Sequence, residues 1–279
     1  MQSQPLWDQM VTFFQSAFVF PGLHWTQILL GIGLGLAFGA IWLVVYRPPL
    51  TGKVGLVALA AASAFLTWTA IAFLQAPLQA WWEQLLLTFW SQSTVLQWVL
   101  LAGIPTMLIT GLVQEGAKAV PVLVYRSRRR ATFDARTGLL IGAISGAAFG
   151  VFEAVWVHNT NFAAGIPWQT FQSDVFASIS PFVERFFAVG MHAGMTALVG
   201  YGLATGRGWQ FYLLAAGIHG LGNYVAVLVQ AGIFNGAAAL VYIVALTLGL
   251  SWAVLRLRSP LRRSRSHEGP PVLGARSQA

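Results

Sequence analysis

The sequence predicts an all-α fold, a polytopic bundle of about seven transmembrane helices, and three observations carry that prediction. The first is composition: 57% of the 279 residues are hydrophobic and 9% are charged, against about 25% charged in soluble domains. The second is the recurrence of apolar runs near the roughly 20 residues that a spanning helix needs. The third is that basic residues gather in alternate connections between those runs, as the positive-inside rule requires.

The runs fall at Trp25–Tyr46, Val54–Leu74, Thr94–Tyr125, Ala135–Val157, Pro181–Thr205, Trp209–Gln230 and Gly236–Leu255. The third is too long for one straight crossing, so it tilts or breaks near Pro105, where a backbone donor is lost. Trp81, Trp82 and Trp90 before it suggest a short helix lying along the interface. Arg47 and Lys53 mark the first loop, and the second has only Glu83. Arg126, Arg128, Arg129, Arg130 and Arg136 crowd the third loop, Asp174 is alone in the fourth, and Arg207 marks the fifth. The sixth loop is uncharged, and Arg256, Arg258, Arg262, Arg263 and Arg265 open the tail. This alternation places the N-terminus outside and the C-terminus in the cytoplasm.

Residues 1–24 read as an interfacial N-terminal segment, residues 25–258 as the transmembrane domain, and residues 259–279 as a basic, disordered cytoplasmic tail. The tail's arginines serve as a topology signal and could also meet anionic lipid headgroups. The net charge of +8 is explained by topology, so nucleic acid is not an expected partner. The chain has no cysteine, which excludes disulfides, thiolate metal sites and a cysteine nucleophile.

Against this apolar background, a few ionisable residues lie inside the spans. Each costs about 2.5–3.5 kcal/mol or more at the centre of a helix, so each is retained for a reason. Glu115 and Lys118 lie one turn apart on the third span and share a face. Glu153 falls on the helix face marked by Gly138, Gly142, Gly146 and Gly150, so it points at a neighbouring helix rather than at lipid. Arg185, His192 and Thr196 line one face of the fifth span, and His219 and Asn223 one face of the sixth. From the nearest cytoplasmic ends these positions lie about 16 Å (Glu115, His219), 21 Å (His192) and 27 Å (Glu153) deep. One shared site in the middle-to-outer half of the membrane follows. His24 and His267 sit at ends, and His158 at an outer helix end where an interfacial role suffices.

The order of these motifs resembles the PrsW family of intramembrane proteases, grouped with the CAAX-prenyl endopeptidases and their bacterial relatives. The resemblance rests on Glu115-x-x-Lys118, then Phe149-x-x-x-Glu153 on a glycine-rich helix, then His192-Ala-x-x-Thr196, then His219-x-x-x-Asn223, over about residues 105 to 228. Asp134 and Gly138 opening the fourth span, and Gly200 after the histidine, match as well. Two positions depart from the pattern: Gln114 stands where the first of two glutamates is usual, and Ala154 where an asparagine is usual.

The resemblance implies an endopeptidase in the cytoplasmic (inner) membrane of a prokaryote, cutting a single-pass membrane protein such as an anti-sigma factor. Glu115, Glu153, His192, His219 and Asn223 are the candidate catalytic residues, with Gln114, Lys118, Arg185 and Thr196 supporting them. Glu115, alone or together with Glu153, is the buried carboxylate that would polarise the water near neutral pH, and Asn223 or a histidine can donate to the developing oxyanion. No cofactor is required by that chemistry. The alternative is zinc held by His192, His219 and a glutamate, Glu153, with water in the fourth position. Two readings without proteolysis stay open: a degenerate scaffold that binds a partner helix, which Gln114 and Ala154 favour, and a transporter or proton pathway.

Overall fold

The computed structural model describes residues 22–46 and 53–266, together with Asp8, Val11 and Thr12. Among the described residues there is no strand. Helix α1 spans Trp25–Tyr46, and α2, Lys53–Ala70, runs through a π-helical turn at Ile71–Gln75 into α3, Ala76–Phe89. A short α4, Gln92–Gln97, precedes the long α5, Val99–Arg128. Then come α6 (Ala135–Ala163), α7 (Val175–Ala204), α8 (Gly208–Gln230) and α9 (Gly236–Ser266). Seven of these units, with α2 and α3 counted as one, are long and apolar enough to cross a membrane. The chain is an integral membrane protein.

Several boundaries differ from the sequence reading. The third span does not break at Pro105, which lies inside a continuous α5 together with Pro121. The chain bends earlier, at Trp98, between α4 and α5. The helix holding Trp81 and Trp82 is not a separate element but the continuation of the second span through the π turn. The last helix continues to Ser266, past the Ser259 where disorder was expected. Most of the predicted N-terminal segment, the first loop at 47–52 and residues 267–279 lie outside the described residues. Arg258, expected among the free basic residues of the tail, is buried and donates to the carbonyl of Tyr46 at the C-terminal end of α1 (2.6 Å). That carbonyl is one of those a helix end leaves without an intrahelical partner.

Helices α6 and α7 form the centre of the bundle, and their approach is dictated by glycine. A Cβ at Gly138, Gly142 or Gly146 would fall on the carbonyl of Gly200, Thr196 or His192 respectively. The pairs step along antiparallel helices four residues at a time, so the two backbones touch over three turns. Gly150 continues the series against Val189 and His192. Ala143, Ala147, Ala193 and Ala197 are sealed in the same core. Asp134 caps α6 by accepting from the backbone of Thr137 (2.7 Å), and Asp174 caps α7 by accepting from Ala177 (2.9 Å). Gly146→Ala is therefore expected to destabilise the protein by at least about 1–3 kcal/mol, the usual cost of overpacking. Thermal unfolding in detergent reads this, and an unchanged midpoint would contradict so close a contact.

On the other side of the core, α5 packs against α8, where a Cβ at Gly111 would meet the carbonyl of Ala216. These two close contacts bring α5, α6, α7 and α8 around one common line.

Candidate functional site

The four helices place their ionisable side chains in one continuous network. Glu115 and Lys118 are one turn apart on α5, and Lys118 Nζ donates to Glu115 Oε1 at 2.5 Å. The same oxygen lies 2.7 Å from His219 Nδ1 on α8. The other carboxylate oxygen accepts from Thr196 Oγ1 on α7 (3.1 Å). Lys118 Nζ also lies 3.0 Å from His192 Nδ1. The far nitrogen of that ring, Nε2, is 3.0 Å from Glu153 Oε2 on α6. Arg185 Nη1 donates to the same Glu153 oxygen at 2.9 Å and pairs on its other side with Glu184. The two imidazoles face each other at 5.1 Å between centroids, and Phe149 stands edge-on to His192.

Exposure is concentrated at one end of this chain of contacts. The side chains of Glu184, Arg185 and Glu153 retain 30%, 16% and 19% of their exposure, whereas Glu115 and Lys118 retain none. The network thus has a mouth at α7 residues 184–185 and a sealed end at Glu115. Glu153 is at the mouth, and its Oε1 has no partner among the described residues. Glu115 has both oxygens engaged.

Most of the predicted residues are therefore together. The spacing of Arg185, His192 and Thr196 does put all three on one face, and Glu153 does point from the glycine face of α6 to α7. The backbone of Lys118 is held too, because its carbonyl accepts from Ser145 Oγ (2.7 Å), and Ser63 Oγ in turn donates to the Ser145 carbonyl (2.8 Å).

Two of the predicted residues stand apart. Gln114 is buried but faces the π turn, where Nε2 donates to Gln75 Oε1 (3.0 Å). From there the polar ladder continues through Gln79 to the Thr106 carbonyl and Thr110. Asn223 lies one turn beyond His219, half-buried, and among the described residues no hydrogen bond joins it to the network. His158 departs from its expected interfacial place: it is fully buried, stacked on Phe182 and edge-on to Phe38, with Nδ1 3.4 Å from the Gly31 carbonyl.

Sequence reasoning missed Glu184, Ser145 and Gln75. Glu184 had a visible signal, since it adjoins Arg185 and is one of only eight acidic residues. Ser145 and Gln75 had none, because uncharged polar side chains cost too little in a span to draw attention.

Glu115, His192 and His219 each offer a ligand atom within 4.8 Å of the others. One carboxylate and two imidazoles make a donor set that zinc takes in hydrolytic sites, with a fourth position left for water. The residues present fit such an ion, and the glutamate of the set is Glu115, with Glu153 engaged by Arg185 and His192. The Lys118 ammonium lies within hydrogen-bond distance of two of the three, so the chain also carries a cation of its own at this place.

No curated protein and no solved structure matches the chain. Over residues 52–250, however, it matches the family model described as PrsW family intramembrane metalloprotease, and the chain belongs to that family.

Proposed function

We propose that the protein hydrolyses a peptide bond of a single-pass membrane protein, such as an anti-sigma factor, with Glu153 activating the water. The observation that carries this reading is the convergence of Glu153, His192, Lys118, Glu115 and His219 from four helices into one network, with the part-exposed side chains of Glu184, Arg185 and Glu153 at one end. Membership of the family supports the reaction class. With loop charges distributed as they are, the N-terminus lies outside and the C-terminus in the cytoplasm.

The division of labour follows from exposure. Water entering past Glu184 and Arg185 meets Glu153 first, and the unpartnered Oε1 takes its proton as the water oxygen adds to the scissile carbonyl carbon. Glu153 then gives that proton to the leaving amine nitrogen as the C–N bond breaks, while His192 Nε2, 3.0 Å from Glu153 Oε2, holds the carboxyl group in place. The Lys118 ammonium, sealed behind His192, keeps a fixed positive charge against the Nδ1 side of that ring. Glu115 holds Lys118 and His219 in place, and Thr196 fixes Glu115. Arg185 is a positioning residue that orients Glu153 and is itself held by Glu184. Gln114 faces away, so an amide at this position leaves the network intact.

A zinc ion on Glu115, His192 and His219 would polarise the scissile carbonyl or the water. Competition between this ion and the Lys118 ammonium is directly measurable. Lys118→Met is expected to bind zinc at least about tenfold more tightly than the wild type, since removing a like charge beside the ion is worth ~1.4 kcal/mol or more. Equilibrium dialysis with elemental analysis reads the difference. Equal affinity in the two proteins would show that the ammonium does not compete.

The test of the function is reconstitution in liposomes with a set of single-pass substrates. Wild type is expected to cleave at a defined bond, and Glu153→Gln and His192→Ala not to. Cleavage that survives both changes would remove the assignment from this site.

A further inference from the structure

One groove of the molecule takes no part in the proposed reaction. It lies between α2 and α5 and consists of two cavities, of about 630 Å³ and 470 Å³, which meet at Leu66 and Val120, residues that line both. Its walls are two stripes at four-residue spacing. On α5 the stripe is Leu112, Gly116, Val120, Val124 and Arg128, and on the facing wall it is Ala58, Ala62, Leu66 and Ala70 of α2, continued by Leu74 of the π turn. Sixteen residues of α5 separate its ends, a length of about 24 Å.

The charge along this groove is confined to one end. Arg128 and Arg129 line it there, both exposed and neither paired with a carboxylate among the described residues. Arg126 and Arg130 flank them in the sequence. Among the described residues no acidic side chain lines either cavity, and the opposite end is bounded by Tyr212, whose hydroxyl is already given to the Leu112 carbonyl. An occupant that matches has one anionic head, a long apolar tail and nothing polar between them. Guanidinium groups beside an interhelical cleft at a helix end suit a phosphate, and Tyr125 just inside them suits the headgroup boundary. A partner helix could follow the same stripes, but it would not by its nature bring an anion to the arginine end.

We infer that this groove binds an anionic phospholipid, with its phosphate on Arg128 and Arg129 and one acyl chain between α2 and α5. Helix α5 also carries Glu115 and Lys118, so the bound lipid braces the helix that holds the sealed end of the network. The inference is independent of the proposed reaction and would stand if that reading failed.

The experiment uses the full chain in nanodiscs of equimolar phosphatidylglycerol and phosphatidylcholine, released into native mass spectrometry. Wild type is expected to retain phosphatidylglycerol over phosphatidylcholine by about tenfold or more, as two arginines at an anionic headgroup provide. The Arg128→Gln/Arg129→Gln variant is expected to lose that preference, and Arg207→Gln, an exposed arginine elsewhere, to keep it. Ala62→Trp, which fills the groove, is expected to reduce retention of lipid with the arginines in place. Thermal unfolding of each variant checks that it is folded. Equal retention of the two lipids by wild type, or an undiminished preference in the double variant, would overturn the assignment. So would a photo-crosslinker at Ala62 that captures a protein helix in preference to lipid.

Discussion

Glu153→Gln is expected to lower the cleavage rate by about 10²–10⁴-fold, the range lost with a general base, while the protein keeps its thermal midpoint. The amide has the shape of the carboxylate, and its oxygen can still accept from Arg185. Arg185 also keeps a second carboxylate, because Glu184 pairs with it from the other side. The loss should therefore fall on kcat and leave the fold alone. Rates with a single-pass substrate in liposomes and the unfolding midpoint in detergent are the two readouts. A variant that cleaves normally would exclude Glu153 as the base, and one that loses midpoint along with rate would make its role structural.

Glu115→Ala should behave in the opposite way. It leaves Lys118, which is fully buried, with no carboxylate, and stranding one member of a buried ion pair costs about 3–5 kcal/mol. The expected result is a large fall in stability together with loss of activity. Adding Lys118→Met to the same chain should recover most of the stability, because the site then holds two apolar side chains in place of one unpaired charge. Activity should not return. Strong non-additivity of this kind is the mark of residues in direct contact. A double variant as unstable as Glu115→Ala would mean that the ammonium is not what makes the single change costly.

Glu153 and Glu115 are two carboxylates that look alike in the sequence. Both lie in apolar spans, and depth from the nearest loop ranked Glu153 as the deeper. Depth along a helix does not report exposure within a bundle. Glu153 opens to the mouth because α7 presents Arg185 and Glu184 there, whereas Glu115 is closed off by α7 and α8 together. Gln114 is a second case. It adjoins Glu115 in the chain, but successive residues of a helix point about 100° apart, and this step turns it to the π turn of the neighbouring helix. His158 and Arg258 were misplaced for a related reason. Each lies near the end of a span, where the sequence suggests contact with water or headgroups, yet each is covered by a helix remote in the chain.

What the sequence determined by itself was everything that depends on a single helix and its solvent. Apolar length defines a span, and glycines repeated every four residues define a face for close approach. The cost of an ion in lipid singled out Glu115, Lys118, Glu153, His192 and His219, and helix phase assigned each its partner-facing side. The tertiary structure alone decided which of these groups touch. It made Lys118 the cation between Glu115 and His192, gave Arg185 to Glu153, and set Glu115 beside both histidines. Those contacts depend on how four helices are rotated and shifted against one another. That arrangement is set by backbone approaches such as Gly146 on His192 and Gly111 on Ala216, which no one helix can specify.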